Sequence, residues 1–143
     1  MDEEIDIYLF KSIIYVSKAD EKITHQDILD ILTQSWKFNH NSYISGMLIY
    51  DSGYFIQLIQ GPIKTIDKLY DRISKDTRHH DIKKIGEEQL HVRDCTGWGI
   101  GVFNGQEIAE SIYQALDIGH GKELYDADYQ KAKSLLLELK SVL

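Results

Sequence analysis

The chain has 143 residues, a length that suits one domain with a substantial core. Its formal net charge of −7 argues against non-specific binding to nucleic acid and against an anionic membrane surface. A single cysteine, Cys95, excludes an intrachain disulfide and favours a reducing compartment. No signal peptide or membrane-spanning apolar run is recognisable, so we expect a cytoplasmic protein.

The first half of the chain predicts a strand, a helix and a hairpin. Residues 8–17 are rich in β-branched and aromatic residues, which is typical of a strand. Residues 25–38 carry apolar side chains at helical spacing behind a Thr24 cap. Two apolar runs, 44–50 and 54–59, flank a short turn that contains Gly53, and this pattern predicts a β-hairpin.

The next part of the chain repeats the alternation of helix and strand. Pro62 is expected at the first position of a second helix, whose apolar stripe reaches Ile73. Strands follow at 82–92, where Gly86 suggests a bulge, and at 98–103. The order βαββαββ predicts a ferredoxin-like α+β fold in which both helices cover one face of the sheet.

Apolar stripes continue beyond the predicted sheet, at 106–116 and 125–143. We expect these helices to pack on the free face of the sheet or against another protomer. Their surplus of apolar residues predicts a homo-oligomer, and it comprises Leu135, Leu136, Leu139, Val142 and Leu143. The chain would then divide into a sheet domain, 1–104, and a C-terminal helical cap, 105–143.

Two polar side chains interrupt otherwise apolar strands. Gln57 lies in the middle of the third strand, and a buried amide without partners costs roughly 1–3 kcal/mol. Gln57 therefore faces solvent, bonds nearby backbone, or meets something polar inside the domain. Tyr15 lies within the first strand, and its hydroxyl needs one partner, for which a backbone carbonyl would serve.

A charged cluster follows the second helix and includes Asp76, Arg78, His79 and His80. Arg78 beside a cleft would suit a phosphate, although a solvated helix end explains the cluster equally well. Adjacent histidines point in different directions, so no metal site is predicted. Cys95 and His91 lack any group that would orient them as a nucleophile and its base.

Five blocks, in order, resemble the BLUF family, the blue-light sensors that use flavin, from about Ser12 to Phe103. The blocks are SIIYVSKA around Tyr15, Asn39 ahead of Gly46, GYFIQLIQG around Gln57, Arg72-Ile73-x-x-Asp76-x-Arg78-His79, and Trp98. Three positions depart from the family pattern. Gln60 replaces the usual glutamate, Phe38 stands where members often carry Asn or His, and Ile100 replaces the usual methionine.

The resemblance implies a non-covalently bound flavin between the two helices, as FAD or else as FMN or riboflavin. It places Ile31 and Ile73 on the two faces of the flavin ring, and Asn39 and Arg72 at its polar edge. Asp76, Arg78 and His79 would lie near the ribityl or phosphate end.

The resemblance also implies that light moves an electron and a proton from Tyr15 by way of Gln57, which rearranges the hydrogen bonds at the flavin. Trp98 and Ile100 would modulate this switch, and Ile100 lacks the polarisable sulfur of methionine. We expect a stand-alone photoreceptor, not an enzyme, that signals to a partner protein through its C-terminal helices. The alternatives are a flavin-dependent oxidoreductase and a ferredoxin-like module that binds a metabolite without flavin.

Overall fold

The computed structural model describes residues 7–40, 43–103 and 107–142, with backbone alone at Phe38 and His40. The predicted departure at the Phe38 side chain therefore lies outside the described part of the chain. In chain order the elements are β1 (Phe10–Ala19), α1 (His25–His40), β2 (Ser45–Asp51), β3 (Tyr54–Pro62), α2 (Ile63–Ser74), β4 (His79–Leu90), β5 (Trp98–Val102), α3 (Glu107–Ala115), α4 (Lys122–Tyr125) and α5 (Tyr129–Val142). No helix among these residues is long and apolar enough to cross a membrane.

The five strands form one sheet in the order β4-β1-β3-β2-β5. β1 pairs antiparallel with β3 and β4, β2 pairs antiparallel with β3, and β5 joins β2 in parallel. α1 carries the chain from β1 to β2, and α2 carries it from β3 to β4. This arrangement confirms the predicted ferredoxin-like α+β fold, with β1 and β3 at its centre.

Each face of the sheet has its own apolar core, because successive side chains of a strand point to opposite faces. α1 and α2 cover one face, whose buried side chains include Ile13, Ile28, Leu32, Leu48, Phe55, Ile59, Ile66 and Leu69. The C-terminal helices cover the other face, whose buried side chains include Ile14, Val16, Met47, Ile56, Leu58, Tyr113, Leu124, Leu135, Leu136 and Leu139. The predicted packing of helices on both faces is confirmed.

The leucines of the last helix are part of this core. Leu135, Leu136 and Leu139 are buried against the sheet, so they are not a surplus left on the surface. Of the residues behind the predicted oligomer, Val142 remains exposed and Leu143 lies outside the described residues, so the oligomer stays a prediction.

Several boundaries differ from the sequence prediction. α1 has the predicted start, and Thr24 and Asp27 form a reciprocal capping box: the Thr24 N–H donates to Asp27 Oδ2 at 3.0 Å and the Asp27 N–H donates to Thr24 Oγ1 at 3.1 Å. α2 begins at Ile63, so Pro62 lies at the N-cap position and not, as predicted, at the first helical position. β4 begins at His79, three residues earlier than predicted, because His79 and His80 pair with the end of β1.

The predicted C-terminal helix, 125–143, corresponds to α5 and begins four residues later than predicted, after a short helix, α4, that the sequence did not reveal. α4 is a single turn that ends at Tyr125, and α5 begins at Tyr129. Asp128 provides the new start, since its side chain accepts the Lys131 N–H at 2.9 Å. A single turn shows no helical periodicity, which is why the sequence did not reveal α4.

Candidate functional site

A cavity of about 540 Å³ opens between α1 and α2 above the central strands of the sheet. Its walls are formed by Tyr15, Ile31, Gln34, Ser35, Lys37, Asn39, Leu48, Phe55, Gln57, Leu69, Arg72, Ile73, Asp76, Arg78 and His79. All eight residues that the sequence suggested for cofactor binding lie in this wall, together with Tyr15. The volume is in the range of a ligand pocket for a molecule of cofactor size.

The inner wall of the cavity carries a hydrogen-bonded pair. Tyr15 and Gln57 are direct partners in the β1–β3 register, so their side chains share the face that α1 and α2 cover. The Tyr15 hydroxyl donates a hydrogen bond to Gln57 Oε1. Burial raises the pKa of Tyr15 far above its usual value, so this hydroxyl keeps its proton and remains a donor. With its oxygen engaged, Gln57 has amide N–H groups to offer to a ligand.

Asn39 carries a polar atom with no partner inside the chain. It lies at the end of α1, its exposed fraction is 2%, and its Oδ1 makes no hydrogen bond. A buried acceptor in this state costs free energy until a donor reaches it. Because Asn39 also lines the cavity, a bound molecule with an N–H group at this place would satisfy it.

The middle of the cavity is a slot with apolar walls. Ile31 of α1 and Ile73 of α2 line it from the two helices, while Leu48, Phe55 and Leu69 complete the apolar part. Such a slot fits a planar aromatic ring whose polar groups lie along its edges. The donor and acceptor groups of Gln57 and Asn39 would then meet those edges, so the site suits a flavin ring.

The end of the cavity beside α2 is charged. Arg78 binds the Asp76 carboxylate through two nitrogens, with Nε–Oδ1 at 3.0 Å and Nη2–Oδ2 at 2.6 Å, and reaches Gln34 Oε1 at 3.1 Å. The hydrogen bond from Arg78 lowers the pKa of the Asp76 carboxyl, so both groups are charged. Arg72 and Lys37 also line the cavity, whose wall thus carries three cations against one carboxylate.

His79 closes the wall between the charged end and Tyr15. Its Nδ1 lies 2.7 Å from Ser17 Oγ and its Nε2 lies 2.8 Å from the Ile73 carbonyl oxygen. Since that carbonyl can only accept, Nε2 carries the proton and Nδ1 accepts from Ser17. Both ring nitrogens are therefore used inside the chain, and His79 meets Tyr15 and Phe55 edge-on.

The sequence did not single out several of these residues. Ser17 lies two residues after Tyr15 and therefore on the same face of β1, a signal that strand alternation provides. Gln34 and Ser35 lie three and four residues after Ile31, on the same side of α1, so helical spacing would have found them.

Trp98 and Ile100, proposed as modulating residues, do not line the cavity. Leu48 of β2 is the register partner of both Gln57 and Ile100, so a whole strand separates Ile100 from the Tyr15–Gln57 pair. Trp98 is buried in the core on the same face of the sheet. The described residues contain no group of three His, Cys, Asp or Glu side chains that would hold a metal ion.

Comparison with known proteins identifies the family. The family model described as BLUF, sensors of blue-light using FAD, matches residues 10–101. The subunit alpha of photoactivated adenylate cyclase from Euglena gracilis is 34% identical over 74 residues, which cover 52% of this chain and 7% of that protein.

Solved structures extend the likeness to the C-terminal helices. BlsA in its ground state is 25% identical with a TM-score of 0.76, covering 92% of this chain and 87% of that chain. BlrB, a BLUF protein in its dark state, is 26% identical with a TM-score of 0.67, covering 89% and 96%. The chain belongs to the BLUF family of blue-light sensors that bind flavin.

Proposed function

We propose that Tyr15 and Gln57 are the photochemical unit of this blue-light sensor and that the cavity between α1 and α2 holds its flavin. The observation that carries the proposal is the hydrogen bond from the buried Tyr15 hydroxyl to Gln57 Oε1 at the inner wall of that cavity. A phenol joined to an amide can pass a proton without any rearrangement of the backbone.

A bound flavin would supply the blue-light absorption and the acceptor for one electron. Ile31 and Ile73 would hold the faces of its ring, and Asn39 and Arg72 would bond its polar edge. The unpartnered Asn39 Oδ1 supports this orientation, because it needs a donor such as a ring N–H.

The proton movement follows from the state of Tyr15. In the dark, the raised pKa of the phenol keeps the proton on its oxygen. Loss of an electron makes a phenol strongly acidic, so the proton would then pass to Gln57 along the existing hydrogen bond. When the electron and the proton return to Tyr15, the Gln57 amide would be left rotated, tautomerised or both. In the low dielectric of the protein interior, this change of hydrogen bonding has a large energetic effect.

FAD is the flavin form we propose, with FMN or riboflavin as the alternatives. The support is the charge of the cavity wall, where Arg78 and Lys37, in addition to Arg72 at the ring edge, outweigh Asp76 and suit a phosphate. His79 would hold this part of the cavity wall in place through its hydrogen bonds to Ser17 and Ile73. Mass spectrometry of the flavin released by denaturation distinguishes the three forms, and released riboflavin would contradict a role for these cations.

The output we propose is contact with a partner protein in the cytoplasm, made through the C-terminal helices, with no catalytic turnover by this chain. The support is the packing of α3 and α5 on the sheet face opposite the cavity, where α5 contacts the strands that carry Tyr15 and Gln57. Residues 105–143 would thus act as the output cap of the sensor domain, 1–104. Trp98 and Ile100 would modulate the switch through β2.

The test is the light-minus-dark absorption spectrum of the purified protein and three variants. Tyr15→Phe and Gln57→Leu keep the shape of the wall, so both should bind flavin but lose the reversible red shift. Tyr70→Phe is the matched control, because the Tyr70 ring lies 5.9 Å from that of Tyr15 yet Tyr70 does not line the cavity. A normal red shift in Tyr15→Phe or in Gln57→Leu would overturn the proposal.

A further inference from the structure

The two edges of the sheet differ in their protection against pairing with another strand. The outer strand β4 contains charged residues along its length and two register irregularities. β5, on the opposite edge, has the sequence WGIGV, with no charge, no proline and an unbroken register. Natural edge strands usually carry such protection, so an unprotected edge marks a place where another strand can add.

The open side of β5 presents a regular row of backbone groups. The Gly97 carbonyl accepts the Gly46 N–H at 3.1 Å, and the Phe103 N–H donates to the Tyr50 carbonyl at 2.9 Å. In a parallel pair the residues that bond to one neighbour alternate along the strand. Gly97, Gly99, Gly101 and Phe103 therefore face β2, while Trp98, Ile100 and Val102 turn their N–H and C=O groups to the open edge.

This row is symmetric about Ile100. If a second β5 ran antiparallel to the first with Ile100 opposite its own copy, Trp98 of each copy would face Val102 of the other. Every outward N–H and C=O group of the three residues would then have a partner. The same short strand thus supplies both halves of a closed, isologous contact.

The side chains beside this edge are apolar and exposed. Ile100 and Val102 are 37% and 43% exposed, and on α1 Trp36 and Leu29 are 44% and 54% exposed. Leu29 and Trp36 are seven residues apart and so lie on one side of α1, and a groove of about 410 Å³ separates Trp36 from β5. An exposed patch of this kind is typical of an interaction site.

Charge favours a second copy over a charged partner. The chain has a net charge of −7, yet the strand and its two exposed side chains carry none of it. Lys140 is the charged residue in the groove wall, and its Nζ already donates to the Thr96 carbonyl at 2.6 Å. The edge is therefore a neutral surface on an acidic protein, where two copies meet without repulsion.

We propose that β5 is a homodimer surface, on which two copies of this chain pair antiparallel about Ile100 and form one continuous sheet. The surface is small, so the dimer should be reversible and dependent on concentration. The proposal does not depend on bound flavin, and the protein can be tested with or without it.

Cysteine cross-linking tests the register. In an antiparallel hydrogen-bonded pair the facing Cα atoms are about 5.5 Å apart, within the reach of a disulfide. In a Cys95→Ser background, Ile100→Cys should form a covalent dimer under mild oxidation with diamide. Val102→Cys is the matched control, since the two copies of residue 102 would lie roughly 13 Å apart along the strands. No cross-link at residue 100, or equal cross-linking at both positions, would overturn the proposal.

Variants with opposite charges at residue 100 provide a second test that needs no cross-linking. By sedimentation velocity at high micromolar concentration, wild type should be dimeric, while Ile100→Lys alone and Ile100→Glu alone should be monomeric. A 1:1 mixture of the two variants should restore the dimer, because opposite charges then face each other. Val92→Lys changes an exposed apolar residue away from this edge and should leave the dimer intact. A monomeric wild type, or dimers in both single variants, would overturn the proposed homodimer and indicate that a strand of another protein pairs with this edge.

Discussion

At the scale of single residues, the cavity wall divides into groups that the chain itself satisfies and one that it does not. Gln57, His79, Asp76 and Arg78 all have partners within the wall. Among the described cavity residues, Asn39 alone has a buried side-chain atom without a partner. The site is therefore held in shape before any ligand enters. A hydrogen bond to Asn39 Oδ1 should contribute more to the free energy of ligand binding than one to the groups that already have partners.

Asn39→Ala should separate the stability of the empty protein from its affinity for flavin. The variant loses an acceptor that only a ligand can satisfy, so flavin affinity should fall by about 1–3 kcal/mol. The free energy of unfolding of the flavin-free protein should fall by less than this, because the removed Oδ1 makes no hydrogen bond there. Titration with flavin and thermal melts of the empty protein give the two quantities.

Gln26→Ala on the exposed side of α1 is the control for this experiment, since its hydrogen bond to Asp30 lies away from the cavity. Unchanged affinity in Asn39→Ala would contradict the orientation proposed for the ring. A strongly lowered melting temperature of the empty variant would instead give Asn39 a structural role.

Much of the site was predictable, because Tyr15, Gln57 and Ile73 lie on elements whose type the sequence predicted. The state of those residues was not predictable. The two bonds of His79 depend on Ser17 and on β4 starting at His79, whereas the sequence placed the start of this strand at residue 82. The hydrogen bonds from Arg78 to Asp76 and Gln34 likewise connect α1 to the segment after α2. The spacing of these residues in the sequence does not reveal this contact.

At the scale of elements, β1 and β3 carry a polar pair on each face. Ser12 and Gln60 are register partners, as Tyr15 and Gln57 are, but they point to the opposite side. Gln60 Nε2 donates to Ser12 Oγ at 3.2 Å and to Asp94 Oδ2 at 2.9 Å. Lys133 of α5 binds the same Asp94 oxygen at 2.5 Å. A continuous set of bonds thus joins β3 to α5.

Gln60→Glu should destabilise the protein, although glutamate is the residue that the family usually carries there. An ionised carboxylate cannot donate to Asp94 or Ser12, and it would face the Asp94 carboxylate at hydrogen-bond distance. We expect a loss of about 1–3 kcal/mol in the free energy of unfolding at neutral pH, measured in urea.

The loss should shrink in acid. The like charge of Asp94 would raise the folded-state pKa of the new carboxyl above its unfolded value of about 4.3, so the penalty grows as pH rises. Gln89→Glu on the exposed side of β4 is the control, and it should change little. Equal stability of Gln60→Glu and wild type at neutral pH would contradict this account of the network.

A second polar cluster joins the hairpin to α3. His120 lies 2.9 Å from Asp51 Oδ2 and 2.6 Å from Glu110 Oε2. Burial alone would lower the pKa of His120, but hydrogen bonds to these two carboxylates outweigh it, and the pKa is raised. The two carboxylates, from β2 and α3, thus favour the charged form of the imidazole.

This cluster should make the stability of the protein depend on pH. Because the folded-state pKa of His120 lies above the unfolded value of about 6.5, its stabilisation is full below that pH and is lost as pH rises through the folded value. Between about pH 6 and pH 9, the melting temperature of wild type should therefore fall by a few degrees relative to that of His120→Gln. Parallel curves for the two proteins would show that the charged imidazole contributes nothing.

The element that the sequence missed is fixed by tertiary contacts. The Tyr125 hydroxyl donates to the Asp81 carbonyl, and Lys83 Nζ donates to the Tyr125 carbonyl at 2.9 Å. These bonds tie α4 to the irregular start of β4, where Asp81 has a φ of 52°. The alternation of strands and helices was predictable from local pattern, whereas this turn exists because two distant segments meet.

At the scale of the whole molecule, the sheet is a partition between two cores. α1 and α2 protect the face with the cavity, and α3 and α5 protect the other. The division into a sheet domain and a separate cap therefore does not divide the core, since the apolar side chains of β1, β2 and β3 pack directly on α5. Removal of α5 would leave that face exposed to water.

A chain that ends at Asp128 should not fold as a stable domain. The truncation removes Leu135, Leu136 and Leu139 and exposes the face built from Ile14, Met47 and Leu58. We expect the truncated chain to aggregate or to bind a hydrophobic dye, without cooperative unfolding in urea. As a milder test in the full chain, Leu136→Ala should cost about 2–5 kcal/mol of unfolding free energy, whereas Val142→Ala, at an exposed position, should change it by less than about 0.5 kcal/mol. A soluble truncated chain that unfolds cooperatively at the wild-type midpoint would show instead that α5 is an accessory, free to leave the sheet when the sensor signals.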